Sequence, residues 1–170
     1  VPSPNHDERP DRDDISLLVV HGISLPPGEF SGPWIDRLFT NTLDPGQHPY
    51  FAGLEGLRVS SHLMIRRDGS LTQFVPLHLR AWHAGASCWR GRERCNDFAI
   101  GIELEGTDTD PYETAQYETL VGVTRALLDH YPGLDLSGIV GHEHIAPGRK
   151  TDPGPAFDWE NYLTALRRQR

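Results

Sequence analysis

Near its C-terminal end the chain carries Gly141-His142-Glu143-His144-Ile145-Ala146-Pro147-Gly148-Arg149-Lys150-Thr151-Asp152-Pro153-Gly154. This turn-rich stretch holds two imidazoles, a lysine and a carboxylate directly after the apolar pair Ile139-Val140. Polar groups in a loop that follows a strand are where a rigid sheet presents chemistry to a ligand. Lys150 is the only lysine among 16 basic residues, and Arg149 beside it shows that the local backbone accepts arginine. A compact ammonium is therefore what position 150 selects.

A catalytic zinc site takes about three protein ligands of imidazole and carboxylate type and keeps a position for water, whose pKa falls to about 7. His21, His142 and Asp152 could supply that set. Pro153 disfavours helical backbone at Asp152 and predicts an extended segment, in which residues two apart share a side. Lys150 would then face the same cavity as Asp152 and stabilise an oxyanion beside the metal. Glu103 completes the set as a general base that later passes its proton to a leaving amine. The spacing also admits an all-histidine site of His21, His142 and His144, which leaves Asp152 and Lys150 without a role.

The elements that must position these groups are legible as periodic runs. Leu17-Leu18-Val19-Val20 predicts a strand buried on both faces that ends at His21. Residues 61–65 and 71–75 flank Arg67-Asp68-Gly69 and predict an antiparallel hairpin. In residues 98–105, Phe98, Ile100, Ile102 and Leu104 alternate with Ala99, Gly101, Glu103 and Glu105, which places Glu103 on a strand face lined by small residues. Tyr117, Leu120, Val121, Thr124, Leu127, Leu128 and Tyr131 keep helical spacing until Pro132-Gly133. Asp158 predicts the cap of a last helix with Arg167, Arg168 and Arg170 at its negative end. Residues 1–14 read as an extended arm with a solvated tail as the plain alternative, and residues 22–60 as a long loop region lining the site. One short helix is expected there at 33–40, behind Ser31 as cap. Strands and helices alternate around a hairpin, so the expected fold is α/β: one domain over residues 1–170 with a central mixed β-sheet flanked by α-helices.

Composition narrows the function classes. At 170 residues and 37% hydrophobic the chain suits one core. A formal net charge of −8 argues against nucleic acid. No apolar run approaches a membrane span, and the opening residues lack a secretory pattern. Cys88 and Cys95 are too few for a disulfide scaffold and read as free thiols, so a cytoplasmic protein is expected.

Several motifs, in this order along nearly the whole chain, resemble the AmpD-type family of 1,6-anhydro-N-acetylmuramoyl-L-alanine amidases. They are Val20-His21 with Ser24-Leu25-Pro26-Pro27, Ala81-Trp82-His83-Ala84-Gly85, Gly101-Ile102-Glu103-Leu104-Glu105-Gly106, and Gly141-His142 through Lys150-Thr151-Asp152-Pro153-Gly154. The opening Ser3-Pro4-Asn5 and Arg9-Pro10 fits as well. The resemblance implies the fold shared with phage-lysozyme-type amidases and peptidoglycan recognition proteins. It implies Zn2+ on His21, His142 and Asp152, with Glu103 and Lys150 catalytic. It also implies a muropeptide pocket involving Tyr50, Arg58, Trp82, Arg94, Leu104 and Ala146, and no obligate protein partner. Two positions depart from the pattern: Gly22 stands where the family tends to carry Asn, and His144 where a small polar residue is usual. His144 is read as a pocket-rim group, His83 as a structural or pocket-wall residue, and His6, His48, His62, His78 and His130 as surface or packing residues.

Overall fold

A computed structural model describes residues 1–168. In chain order the strands are β1 (His6–Glu8), β2 (Leu17–Ile23), β3 (Leu63–Ile65), β4 (Leu71–Gln73), β5 (Leu79–Ala81), β6 (Cys88–Trp89), β7 (Arg92–Glu93), β8 (Ala99–Glu105) and β9 (Ile139–Gly141). The helices are α1 (Trp34–Phe39), α2 (Thr114–His130), α3 (His142–Ile145) and α4 (Trp159–Arg167). Five strands form the central sheet in the order β4-β3-β8-β2-β9. The β3–β8, β8–β2 and β2–β9 pairs are parallel and the β3–β4 hairpin antiparallel, so the sheet is mixed.

Strand alternation divides the core. Leu18, Val20, Leu63, Ile65, Ile100, Ile102 and Leu104 pack with Leu120, Leu127, Leu128, Tyr162 and Leu166 of α2 and α4. The opposite face meets Leu17, Val19, Ala84, Cys95, Ala99, Val140 and Ile145 in one cluster, and Met64, Phe74, Phe39 and Phe51 in another. The strand β2 continues past the expected end, so His21 lies inside it, level with Glu103 of β8. Parallel pairing with β8 holds the extra residues in the ladder, while the pairing with β9 stops at Val20.

Residues 1–14 are fastened by polar contacts. Ser3, Asn5 and Arg9 are buried, and β1 pairs with β5. Asn5 Nδ2 donates to the Val59 carbonyl at 2.7 Å, while the Arg9 guanidinium donates to the carbonyls of Leu77, Asn96, Asp97 and Ala99. Within residues 22–60 there are, besides α1, 3-10 turns at Pro45–Gln47 and Pro49–Leu54. Ser31 does not cap α1: its φ is 64°, Pro33 holds the cap position, and the Ser31 amide donates instead to Glu105 Oε1. Asp158 does cap α4, accepting from the Asn161 amide at 2.9 Å. Arg167 and Arg168 close that helix, and Arg170 lies outside the described residues.

Candidate active site

The parallel strands β2 and β9 end on one edge of the sheet, which is where α/β sheets gather ligand-binding groups. From β2, His21 projects onto the face opposite the α2 and α4 core. From the end of β9 the chain turns directly into α3, so His142 occupies its first position, and the Glu143 amide donates to the Asp152 carbonyl at 3.0 Å. Asp152 begins a turn rather than continuing an extended segment, and its bond to Pro153 is cis.

Three ligand atoms converge. His21 Nδ1 lies 3.0 Å from His142 Nδ1 and 3.2 Å from Asp152 Oδ2, and His142 Nδ1 lies 3.1 Å from the same oxygen. Ligand atoms bonded to zinc at about 2.0–2.1 Å in a tetrahedron stand about 3.3 Å apart. The observed triangle is within a few tenths of an ångström of that, so these residues fit a metal of this kind. Among the described residues this is the group of three or more His, Cys, Asp or Glu side chains close enough to hold an ion. The ring of His144 does not join it. Its Nδ1 accepts from the Gly141 amide at 2.8 Å and the ring rests edge-on against Trp159, so an all-histidine site is not assembled.

The electrostatics suit metal binding. Burial lowers the His21 imidazole to about 4, overcoming the raising effect of its Asp152 hydrogen bond, so the ring is neutral at pH 7 with a lone pair to give. Burial pushes the Asp152 carboxyl up, but hydrogen bonds from His142 and His21 outweigh it and hold the group far below the usual carboxylate range. Glu103 goes the other way: burial first, then the Asp152 charge, lifts it well above that range. Its Oε2 is buried with no hydrogen-bond partner, which marks a group kept for something other than the fold.

A cavity of about 250 Å³ opens over the triangle and is lined by Glu103, Lys150, Asp152, His83 and Tyr50 among others. Lys150 and Asp152 thus share one cavity. The other expected pocket residues scatter. Arg58 lines a neighbouring cavity of about 190 Å³ with Phe51 and Leu57. Arg94 and Ala146 line a groove with Arg149, and Arg94 also pairs with Asp97. The Trp82 indole donates to Asp7 of the N-terminal arm. The Leu104 side chain is fully buried in the α2 and α4 core, because alternation along β8 turns it away from Glu103.

Other residues at the site carried no signal in the sequence. His62 is fully buried, its Nδ1 accepting from the Gly101 amide and its Nε2 facing the Leu79 carbonyl. Asn96 Oδ1 accepts from the amides of both His83 and Ala84. The Tyr112 hydroxyl donates to the Pro153 carbonyl at 2.9 Å, and a Cβ at position 22 would lie 2.3 Å from that hydroxyl oxygen. Glycine at 22 therefore leaves room for the tyrosine that holds the residue after Asp152.

Known proteins bear on this geometry. The N-acetylmuramoyl-L-alanine amidase family matches residues 11–155. The 1,6-anhydro-N-acetylmuramyl-L-alanine amidase AmpD of Citrobacter freundii is 64% identical over 95% of this chain and 86% of its own length. A crystal structure of a Se-Met AmpD derivative superposes with a TM-score of 0.93 at 63% identity, covering 98% of this chain and 92% of that one. The Escherichia coli amidase AmiD, in complex with the substrate anhydro-N-acetylmuramic acid-L-Ala-D-gamma-Glu-L-Lys, superposes with a TM-score of 0.67 at 29% identity, over 91% of this chain and 58% of that one.

Proposed function

The chain belongs to the N-acetylmuramoyl-L-alanine amidase family, and from that premise we propose that it is a zinc amidase of peptidoglycan recycling. It would hydrolyse the amide between 1,6-anhydro-N-acetylmuramic acid and the L-alanine of a stem peptide. The observation that carries this reading is the triangle of His21, His142 and Asp152 opening into the cavity shared by Glu103 and Lys150. The AmpD names of the full-length relatives and the substrate bound by AmiD support the choice of substrate.

His21, His142 and Asp152 would hold the zinc. Bound there, it would lower the pKa of a coordinated water to about 7 and polarise the scissile carbonyl. Glu103, whose burial raises the proton affinity of its carboxylate, would accept the water's proton and deliver it to the departing amine. Lys150 places its ammonium where the carbonyl oxygen gains charge. Tyr50 borders the same cavity and would meet the sugar or lactyl group, while Arg58 of the neighbouring cavity, and Arg94 and Ala146 of the groove lined with Arg149, would receive the peptide. Trp82 serves at the rim, and Leu104 contributes backbone. The cytoplasm is the proposed compartment, in keeping with the free thiols of Cys88 and Cys95.

The test is release of free peptide from anhydro-muramyl peptide compared with a reducing-end muramyl peptide. Turnover should favour the anhydro substrate and vanish both in Asp152→Ala and after chelation, returning with added zinc. Full activity in Asp152→Ala or in thoroughly chelated protein would refute the zinc reading, and preference for the reducing-end substrate would refute the proposed specificity.

A further inference from the structure

We propose that the segment Ala81-Trp82-His83-Ala84-Gly85 sets the ring tautomer of both metal-facing histidines, with His83 acting as the positioning residue for His21. The inference rests on the zinc reading above. An imidazole that gives its Nδ1 lone pair to a metal carries its proton on Nε2, and whatever accepts that proton fixes the ring. Both Nδ1 atoms face the triangle, and both Nε2 atoms end on this one segment. His142 Nε2 meets the Ala84 carbonyl at 3.1 Å, and His21 Nε2 meets His83 Nδ1 at 2.9 Å.

The proton arrangement follows. With His21 donating from Nε2, His83 must accept at Nδ1 and keep its own proton on Nε2, an atom that is buried without a partner. Such a bare N–H is tolerated only where the ring is wanted in that place. The segment is built to hold it. The amides of His83 and Ala84 donate to Asn96 Oδ1 at 3.2 and 2.8 Å. Arg149 Nη2 donates to the Ala84 carbonyl at 2.6 Å, so one oxygen with two lone pairs serves both the arginine and His142. Below the ring, Gly101 has no side chain, and a Cβ there would lie 2.6 Å from His83. The glycine of β8 is the floor on which the imidazole stands. The usual partner of a ligating histidine is a carboxylate, carbonyl or water; a neutral imidazole orients His21 without adding a negative charge beneath the metal.

The experiment compares zinc affinity, by competition with a chromogenic chelator, in the wild-type chain, His83→Leu and His83→Asn, alongside the melting of each metal-free protein. Asparagine can place its Oδ1 where the histidine has Nδ1, whereas leucine has no acceptor. The leucine variant should bind zinc about 10–100-fold more weakly, the asparagine variant within about threefold of wild type. Should the leucine variant not fold, His83→Phe serves as the acceptor-free chain. A wild-type chain without zinc affinity overturns the zinc reading and this inference together. Wild-type affinity that survives undiminished in the acceptor-free variant, or that asparagine fails to restore, overturns this inference alone.

Discussion

The two faces of β8 are one strand in two environments. On one, Ile100, Ile102 and Leu104 fill the space against α2 and α4 with apolar side chains. On the other, Ala99 and Gly101 fill almost none, and the depth they leave is taken by Ala84 and by the ring of His83, above which stands the triangle of His21, His142 and Asp152. Both faces are buried, so burial alone does not distinguish a core from an active site. What differs is what the buried groups are satisfied by. Dispersion and exclusion of water hold the helical face. The other carries imidazoles linked from His83 through His21 to His142 and Asp152, level with Glu103, whose Oε2 has no partner.

That contrast predicts opposite outcomes for neighbouring substitutions. The largest effect belongs to Glu103→Gln, which should lower kcat by about 10²–10⁴-fold in a protein that still folds; measured turnover within tenfold of wild type would dissolve the distinction between the faces. One residue earlier, Ile102→Ala should cost about 2–5 kcal/mol in denaturant unfolding while turnover per folded molecule is kept. Next is Lys150→Ala, expected to reduce kcat by about 10²–10³-fold, with Lys150→Arg restoring only part of it because a planar guanidinium does not occupy the place of a compact ammonium. Complete rescue by arginine would remove the meaning given to the lone lysine.

The smallest effect is on stability against pH in the metal-free protein. Burial lowers His62 to about 3 from an ordinary value near 6.5, with the nearby Arg9 charge adding to it. The folded chain therefore binds fewer protons than the unfolded one between those values, so this contribution is present above about pH 6.5 and is lost as pH falls through that window. Glu103 has the reverse sign: its raised pKa favours the fold at low pH and that contribution fades as pH rises through its folded value. Comparison with His62→Gln isolates the histidine. Wild type should lose up to about 1.4 kcal/mol per pH unit relative to the variant below pH 6.5, and parallel stability curves would show that the buried imidazole is not held neutral.

Much of this was readable from residue order. The alternation in 98–105 put Glu103 among small residues, and helical spacing found α2 because both are repeats that the chain must satisfy over short distances. The polar interior was less legible. His62 and Asn96 sit in unremarkable sequence, and their partners, Gly101, His83 and Ala84, come from other segments. Arg9 fell in the stretch read as an extended arm, and its guanidinium is buried among backbone carbonyls that only the folded loops bring together. Ser31 misled for a related reason: a capping residue type marks a helix start only if its backbone is free to cap, and here the Ser31 amide is bound to Glu105.

By itself the sequence offered groups whose chemistry suits metal binding and proton transfer, and determined most of the runs that would be strands and helices, since side-chain chemistry and periodicity are local properties. Tertiary structure alone decided that His21 and Glu103 stand level on adjacent strands, that Leu104 turns its side chain away, and that one five-residue segment reaches both imidazoles of the triangle. Register and loop closure depend on long-range pairing and packing, and a shift of one residue along β8 would exchange its two faces.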